Sequence, residues 1–139
     1  MGAIRLLFLF PGRIGRAKFW FGFLLAKVIL IGGVIGGVMT FKAHPLVSAY
    51  IPYVSLVYFW ILIAISIKRL HDMNARAWWV LLMLPLPLGL GMIGSLARIQ
   101  VLQGLAFITS ICVLGILGAV AGTQGDNRFG ADPLAHKRL

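Results

Sequence analysis

A 139-residue chain that is 60% hydrophobic, with 13 Lys and Arg against three acids, is excluded from the ordinary soluble domains. A chain this short keeps a large share of its surface exposed, so it cannot bury that apolar content in itself, and lipid is the solvent expected for the remainder. The formal charge of +10 falls between apolar runs and forms no basic stripe, which argues against nucleic acid as a partner and for charges that set membrane topology.

In chain order, residues 6–10 (LLFLF) form the first apolar patch. It is short, has no small-residue cleavage site and runs directly into PGRIGR, so no cleavable signal peptide is expected. Leu6 also stands where N-myristoylation needs Ser or Thr. A membrane-crossing helix needs roughly 20 mostly apolar residues. Four stretches qualify: 19–41, broken only by Lys27; 46–67, without charge; 77–97; and 105–122, slightly short. Backbone groups in lipid must be satisfied internally, so these are read as helices. The expectation is an all-α polytopic membrane protein of one domain, with an N-terminal segment 1–18, a central loop 68–76 and a tail 123–139 on one side.

That side holds Arg5, Arg13, Arg16, Lys18, Lys68, Arg69, Arg76, Arg128, Lys137 and Arg138, whereas only Lys42 and Arg98 fall on the other. The positive-inside rule therefore puts both termini in the cytoplasm. All three acids, Asp72, Asp126 and Asp132, share that face. Trp20, Trp78 and Trp79 suit its interface as aromatic anchors, and Tyr50 and Tyr53 suit the opposite one. Gly32, Gly33, Gly36 and Gly37 form overlapping GxxxG patterns, and Gly118 with Gly122 forms another. Such spacing lets helices approach closely within one chain; the alternative is a homo-oligomer through the Gly32/Gly36 or Gly118/Gly122 faces. The single cysteine, Cys112, lies in an apolar run and reads as a small hydrophobe.

Three polar segments stand out: GRIGRAKFW (12–20), RLHDMNARAWW (69–79) and GDNRFGADP (125–133). Their order and placement resemble the domain-of-unknown-function 805 family of small bacterial inner-membrane proteins. Gly12, Arg13, Arg16, Phe19 and Trp20 match that family's entry to its first span. Arg69, Leu70, His71, Asp72 and Trp78 match its RLHD segment, and Asn127, Phe129, Gly130, Asp132 and Pro133 match its tail. Where family members often continue with an Arg-Ser-Gly-Trp-like run, this chain reads Asn74-Ala75-Arg76-Ala77-Trp78, so no role for that serine or glycine carries over. The resemblance implies a bacterial inner-membrane address and a four-span layout, with no established activity.

On a helix Arg69 and Asp72 are an i,i+3 pair, and Lys68–Asp72 and Asp72–Arg76 are i,i+4 pairs, all within salt-bridge reach. If the chain breaks there, Asp72 or Asn74 can cap the third span. One reading is a latch, in which Arg13, Arg16 and Arg69 pair with Asp72, Asp126 and Asp132, with His71 and Asn127 in the same polar cluster. The sharper reading is a site for an anionic lipid or phosphate-bearing ligand at Arg13, Arg16, Arg69 and Arg76 in a structural or accessory module. Catalysis by His71-Asp72 is not expected, because neighbours on a helix point about 100° apart. His44, His71 and His136 lie in unrelated segments, so neither metal nor cofactor is expected. The alternative from another class is a small transporter or channel component using Lys27 and the third span, which Pro85, Pro87 and three glycines break.

Overall fold

The computed structural model describes residues 3–41 and 46–135. The elements are α1 (Ala3–Phe8), α2 (Arg16–Phe41), α3 (Leu46–Asp72), a 3-10 turn (Ala77–Trp79), α4 (Val80–Met83), α5 (Pro85–Leu96) and α6 (Gln100–Ala119). Four spans are long and apolar enough to cross a membrane: Arg16–Phe41, Ala49–Asp72, Ala77–Leu96 and Gln100–Ala119. At most 33% of the most apolar window of any of them is buried inside the protein, so most of that surface needs lipid. Lys42, His44, Lys137, Arg138 and His136 lie outside the described residues.

α2 packs along α3, and α5 along α6. Small residues set these approaches. A Cβ on Gly33 would come within 2.7 Å of Val54, and one on Gly37 would meet the Tyr50 ring, whereas Gly32 and Gly36 face open space. Gly94 lets α5 lie against Leu102 and Gln103 at the start of α6.

Helix ends depart from the hydropathy boundaries for reasons of hydrogen bonding. α3 continues five residues past the expected end at 67, so Lys68 to Asp72 are helical and only 73–76 remain as loop. It stops at Asn74, whose left-handed φ of 57° lets Ala75 N–H reach back to Leu70 O at 2.8 Å and Asn74 N–H to His71 O at 3.1 Å. This is a Schellman closure, in which asparagine is one of the few residues that tolerates the position. Asn74 thus ends the second span and does not cap the third; the turn that opens the third follows an extended Arg76 with no side-chain cap. Arg98 closes α5 in the same way, with φ 57° and Ile99 N–H bonded to Gly94 O at 2.8 Å.

The third span breaks at Leu84, as its prolines suggest. Pro85 opens α5, and neither it nor Pro87 can donate to the preceding turn. α1 was not expected as a helix. Its Leu6 and Leu7 are buried in the core with Phe19, Ile61, Ile65 and Leu70. Its last carbonyls lack helical partners and are met from α3: Lys68 Nζ donates to Arg5 O at 2.8 Å and to Leu6 O. Trp60 Nε1 adds a bond to Phe8 O at 3.2 Å.

Candidate functional site

The polar residues gather where α3 and α6 end. A helix leaves its final carbonyls without intrahelical donors, and their dipoles favour a cation. In α6 those carbonyls are taken one after another: Leu117 O by Arg69 Nε at 2.7 Å, Gly118 O by Trp20 Nε1 at 3.3 Å, Ala119 O by Arg16 Nη1 at 3.4 Å, and Val120 O by Arg69 Nη2. Arg69 Nη1 then pairs with Asp72 Oδ2, one turn further along α3.

Arg13 reaches the same carboxylate from the other side, its Nη2 lying 3.1 Å from Asp72 Oδ1. Its remaining donors hold the tail: Nη1 bonds Gly125 O at 2.7 Å and Gly130 O at 3.1 Å, and Nη2 bonds Thr123 O at 2.6 Å. The Arg13, Arg69 and Asp72 side chains are 1%, 0% and 5% exposed. Two guanidiniums and one carboxylate leave a net positive charge there, which the ring of carbonyl oxygens stabilises.

Thr123 is the joint that sequence reasoning missed. Its backbone N–H bonds Asp72 O at 2.8 Å, and its hydroxyl donates to the same carbonyl at 3.0 Å. That hydroxyl accepts from Arg13 Nη2 at 3.2 Å and from Asn127 Nδ2 at 2.9 Å, so its one proton and two lone pairs are all used. Asn127 Nδ2 also bonds His71 O at 2.9 Å, while its Oδ1 accepts from Phe129 N–H at 2.9 Å and shapes the 127–130 turn. Asp126 and Asp132 order the tail: Asp126 Oδ1 accepts from Asp132 N–H at 3.1 Å, and Asp132 carboxylate oxygens accept from Gly125 N–H and Leu134 N–H at 3.0 and 2.8 Å. His71 stacks flat on Phe129 with centroids 4.0 Å apart, and its Nδ1 is buried without a partner.

Gly118 and Gly122 are filled from within the chain. A Cβ on the first would strike the Trp20 ring, and one on the second would strike the Asp72 carboxylate. Arg13, Arg69, His71, Asp72 and Asn127 are thus brought together, with Asp132 in the tail turns beside them. Arg16 and Arg76 are exposed, so the four arginines do not form one open site. Lys68, expected beside Asp72, points to α1 instead. Trp78 and Trp79 stack on each other at 4.4 Å and remain exposed, as does part of Trp20. Among the described residues no group of three or more His, Cys, Asp or Glu side chains could hold a metal ion.

A second feature lies inside the spans. A cavity of about 350 Å³ is lined by all four of them, with Phe19, Phe23, Tyr58 and Phe59 as aromatic walls and Lys27 as the charged group; Leu84 and Pro87, at the break in the third span, complete it.

The sequence profile described as "Protein of unknown function (DUF805)" matches residues 7–131, which take in the latch from Arg13 to Gly130. The chain belongs to the DUF805 family. It is similar to the uncharacterized protein YiiR of Escherichia coli K12, with 33% identity over 91% of this chain and 86% of the relative. It is also similar to the inner membrane proteins YhaH and YhaI of that strain, at 28% and 27% identity over 89% of this chain and 86% and 85% of theirs. No solved structure matches it. With four spans and relatives named for the inner membrane, this DUF805 protein is a multi-pass inner-membrane protein.

Proposed function

We propose that this DUF805 protein is a membrane accessory module whose polar end faces the cytoplasm and holds anionic phospholipid headgroups at Arg16 and Arg76, around a rigid latch. The observation carrying this reading is the division among the arginines. Arg13 and Arg69 are buried and committed to Asp72 and to backbone carbonyls, while Arg16 has one long bond of 3.4 Å and Arg76 lies exposed. Exposed guanidiniums suit bidentate phosphate contacts, and each cation near an anionic leaflet contributes about 1 kcal/mol of attraction. Trp20, Trp78 and Trp79, 41%, 46% and 43% exposed, supply interfacial anchors near the same end.

The test is native mass spectrometry from a mild detergent with phosphatidylglycerol added. The doubly substituted Arg16→Gln/Arg76→Gln protein is expected to lose the retained lipid with its melting temperature unchanged. Equal retention by both proteins would remove the headgroup reading. Transport has one favourable observation, the cavity that joins Lys27 to the broken third span. Flux across reconstituted vesicles that stops with Lys27→Met would support it.

A further inference from the structure

Lys27 lies seven residues past Trp20, the interfacial anchor of α2, which is about 10 Å along the helix axis. The hydrocarbon core is about 30 Å thick, so the Lys27 backbone lies about a third of the way into it. An ammonium there requires a counter-charge or a polar route out. Among the described residues no carboxylate lies nearby. The three acids all lie at the polar end, Asp72 between Arg13 and Arg69, and Asp126 and Asp132 in the tail turns. What Lys27 meets instead are two aromatic faces, Phe23 at 5.6 Å and Tyr58 at 5.1 Å from Nζ to the ring centroids. Cation–π contacts orient an ammonium but leave its charge unneutralised. The same lysine lines the cavity of about 350 Å³, whose other walls are mostly apolar. That volume is near the low end of the roughly 300–1,000 Å³ typical of small-ligand pockets, enough for one hydrocarbon chain beside the ammonium.

We propose that this cavity binds a single-chain anionic amphiphile, with its acid headgroup against the Lys27 ammonium and its hydrocarbon tail against the aromatic and aliphatic walls. The ligand provides the counter-ion that the described residues do not, and the tail fills space that side chains leave open. A fatty acid and a single-chain phosphate share this chemistry. The inference does not depend on the headgroup reading above, because Arg16 and Arg76 do not line the cavity.

The test is native mass spectrometry in an uncharged polyoxyethylene detergent with dodecanoate, dodecyl phosphate or dodecanol added separately. Wild-type protein is expected to retain one of the two acids at least about ten-fold more strongly than the alcohol, which has the same chain without the charge. Lys27→Met is expected to lose that preference, Lys27→Arg to keep it, and Arg16→Gln/Arg76→Gln to keep it as well. Preference for dodecanoate identifies a free fatty acid as the ligand type, and preference for dodecyl phosphate identifies a lysophospholipid-like phosphate. Retention of neither acid, or equal retention of acid and alcohol by the wild type, overturns the proposal without reference to any variant. So does a Lys27→Met protein that retains the acid like wild type, the result expected of a lysine that merely extends toward the headgroups.

Discussion

Asp72 faces Arg13 with one carboxylate oxygen and Arg69 with the other, and its backbone carbonyl holds Thr123 as well. Asp72→Asn keeps the shape and removes the charge, which strands two buried guanidiniums. Removing one partner of a buried pair typically costs about 3–5 kcal/mol, so the variant is expected to show a large fall in thermal stability in detergent. Arg69→Ala should behave similarly, because it also uncovers the Leu117 and Val120 carbonyls at the end of α6. His71→Ala should be milder, costing on the order of 1 kcal/mol each for the stacking on Phe129 and the polar contact with the Gly12 backbone, since neither is a buried charge pair. If Asp72→Asn melted with the wild type, the latch would be decorative. The Arg69–Asp72 spacing was visible in the sequence as a helical pair. Thr123 was not, because a lone threonine in a polar tail looks like many others until the fold sets it against the end of α3. Gly122 was visible only as half of a GxxxG pattern. Its hydrogen atom is what admits the Asp72 carboxylate, so Gly122→Ala should destabilise as Asp72→Asn does, while Gly115→Ala, with open space around it, should not.

At the scale of the elements, long apolar runs made all four spans legible, but their ends were set by which groups take the last carbonyls. α3 runs on to Asp72 because its charged final turn faces protein partners: Lys68 serves α1, while Arg69 serves α6. α1 is not legible in the sequence. Six residues are too few to show a helical period, and packing of Leu6 and Leu7 is what holds them. The run of Gly32, Gly33, Gly36 and Gly37 announced a close approach without saying which pair would make it. The packing of α3 answers that, with Gly33 and Gly37 inside and Gly32 and Gly36 outside. Gly37→Leu is therefore expected to push α3 away at Tyr50 and lower the melting temperature, whereas Gly36→Leu leaves it near wild type. Sedimentation of Gly36→Leu reads a second quantity, since a dimer joined by the outer pair would dissociate. Equal destabilisation by the two leucines would mean that α2 is rotated from the arrangement described.

For the whole molecule, the latch joins four parts of the chain at one end of the bundle: the entry to α2, the end of α3, the end of α6 and the tail. The hairpin at Arg98 marks the other end of the last two spans. Among the described residues, eight Lys and Arg at the latched end against Arg98 at the hairpin are a strong asymmetry for a chain of this size, because a cation in a short loop resists translocation across the inner membrane. The latched end is therefore expected to be cytoplasmic. In a Cys112→Ser background, Ile99→Cys in the hairpin should react with a membrane-impermeant maleimide on spheroplasts, and Gln124→Cys should react only after the membrane is opened. The reverse pattern would set Arg16 and Arg76 against the periplasmic leaflet. The two amphiphile proposals would then part company: headgroup binding by exposed arginines loses the anionic cytoplasmic surface that motivates it, whereas the Lys27 cavity, deep among the spans, is indifferent to which way the chain is threaded.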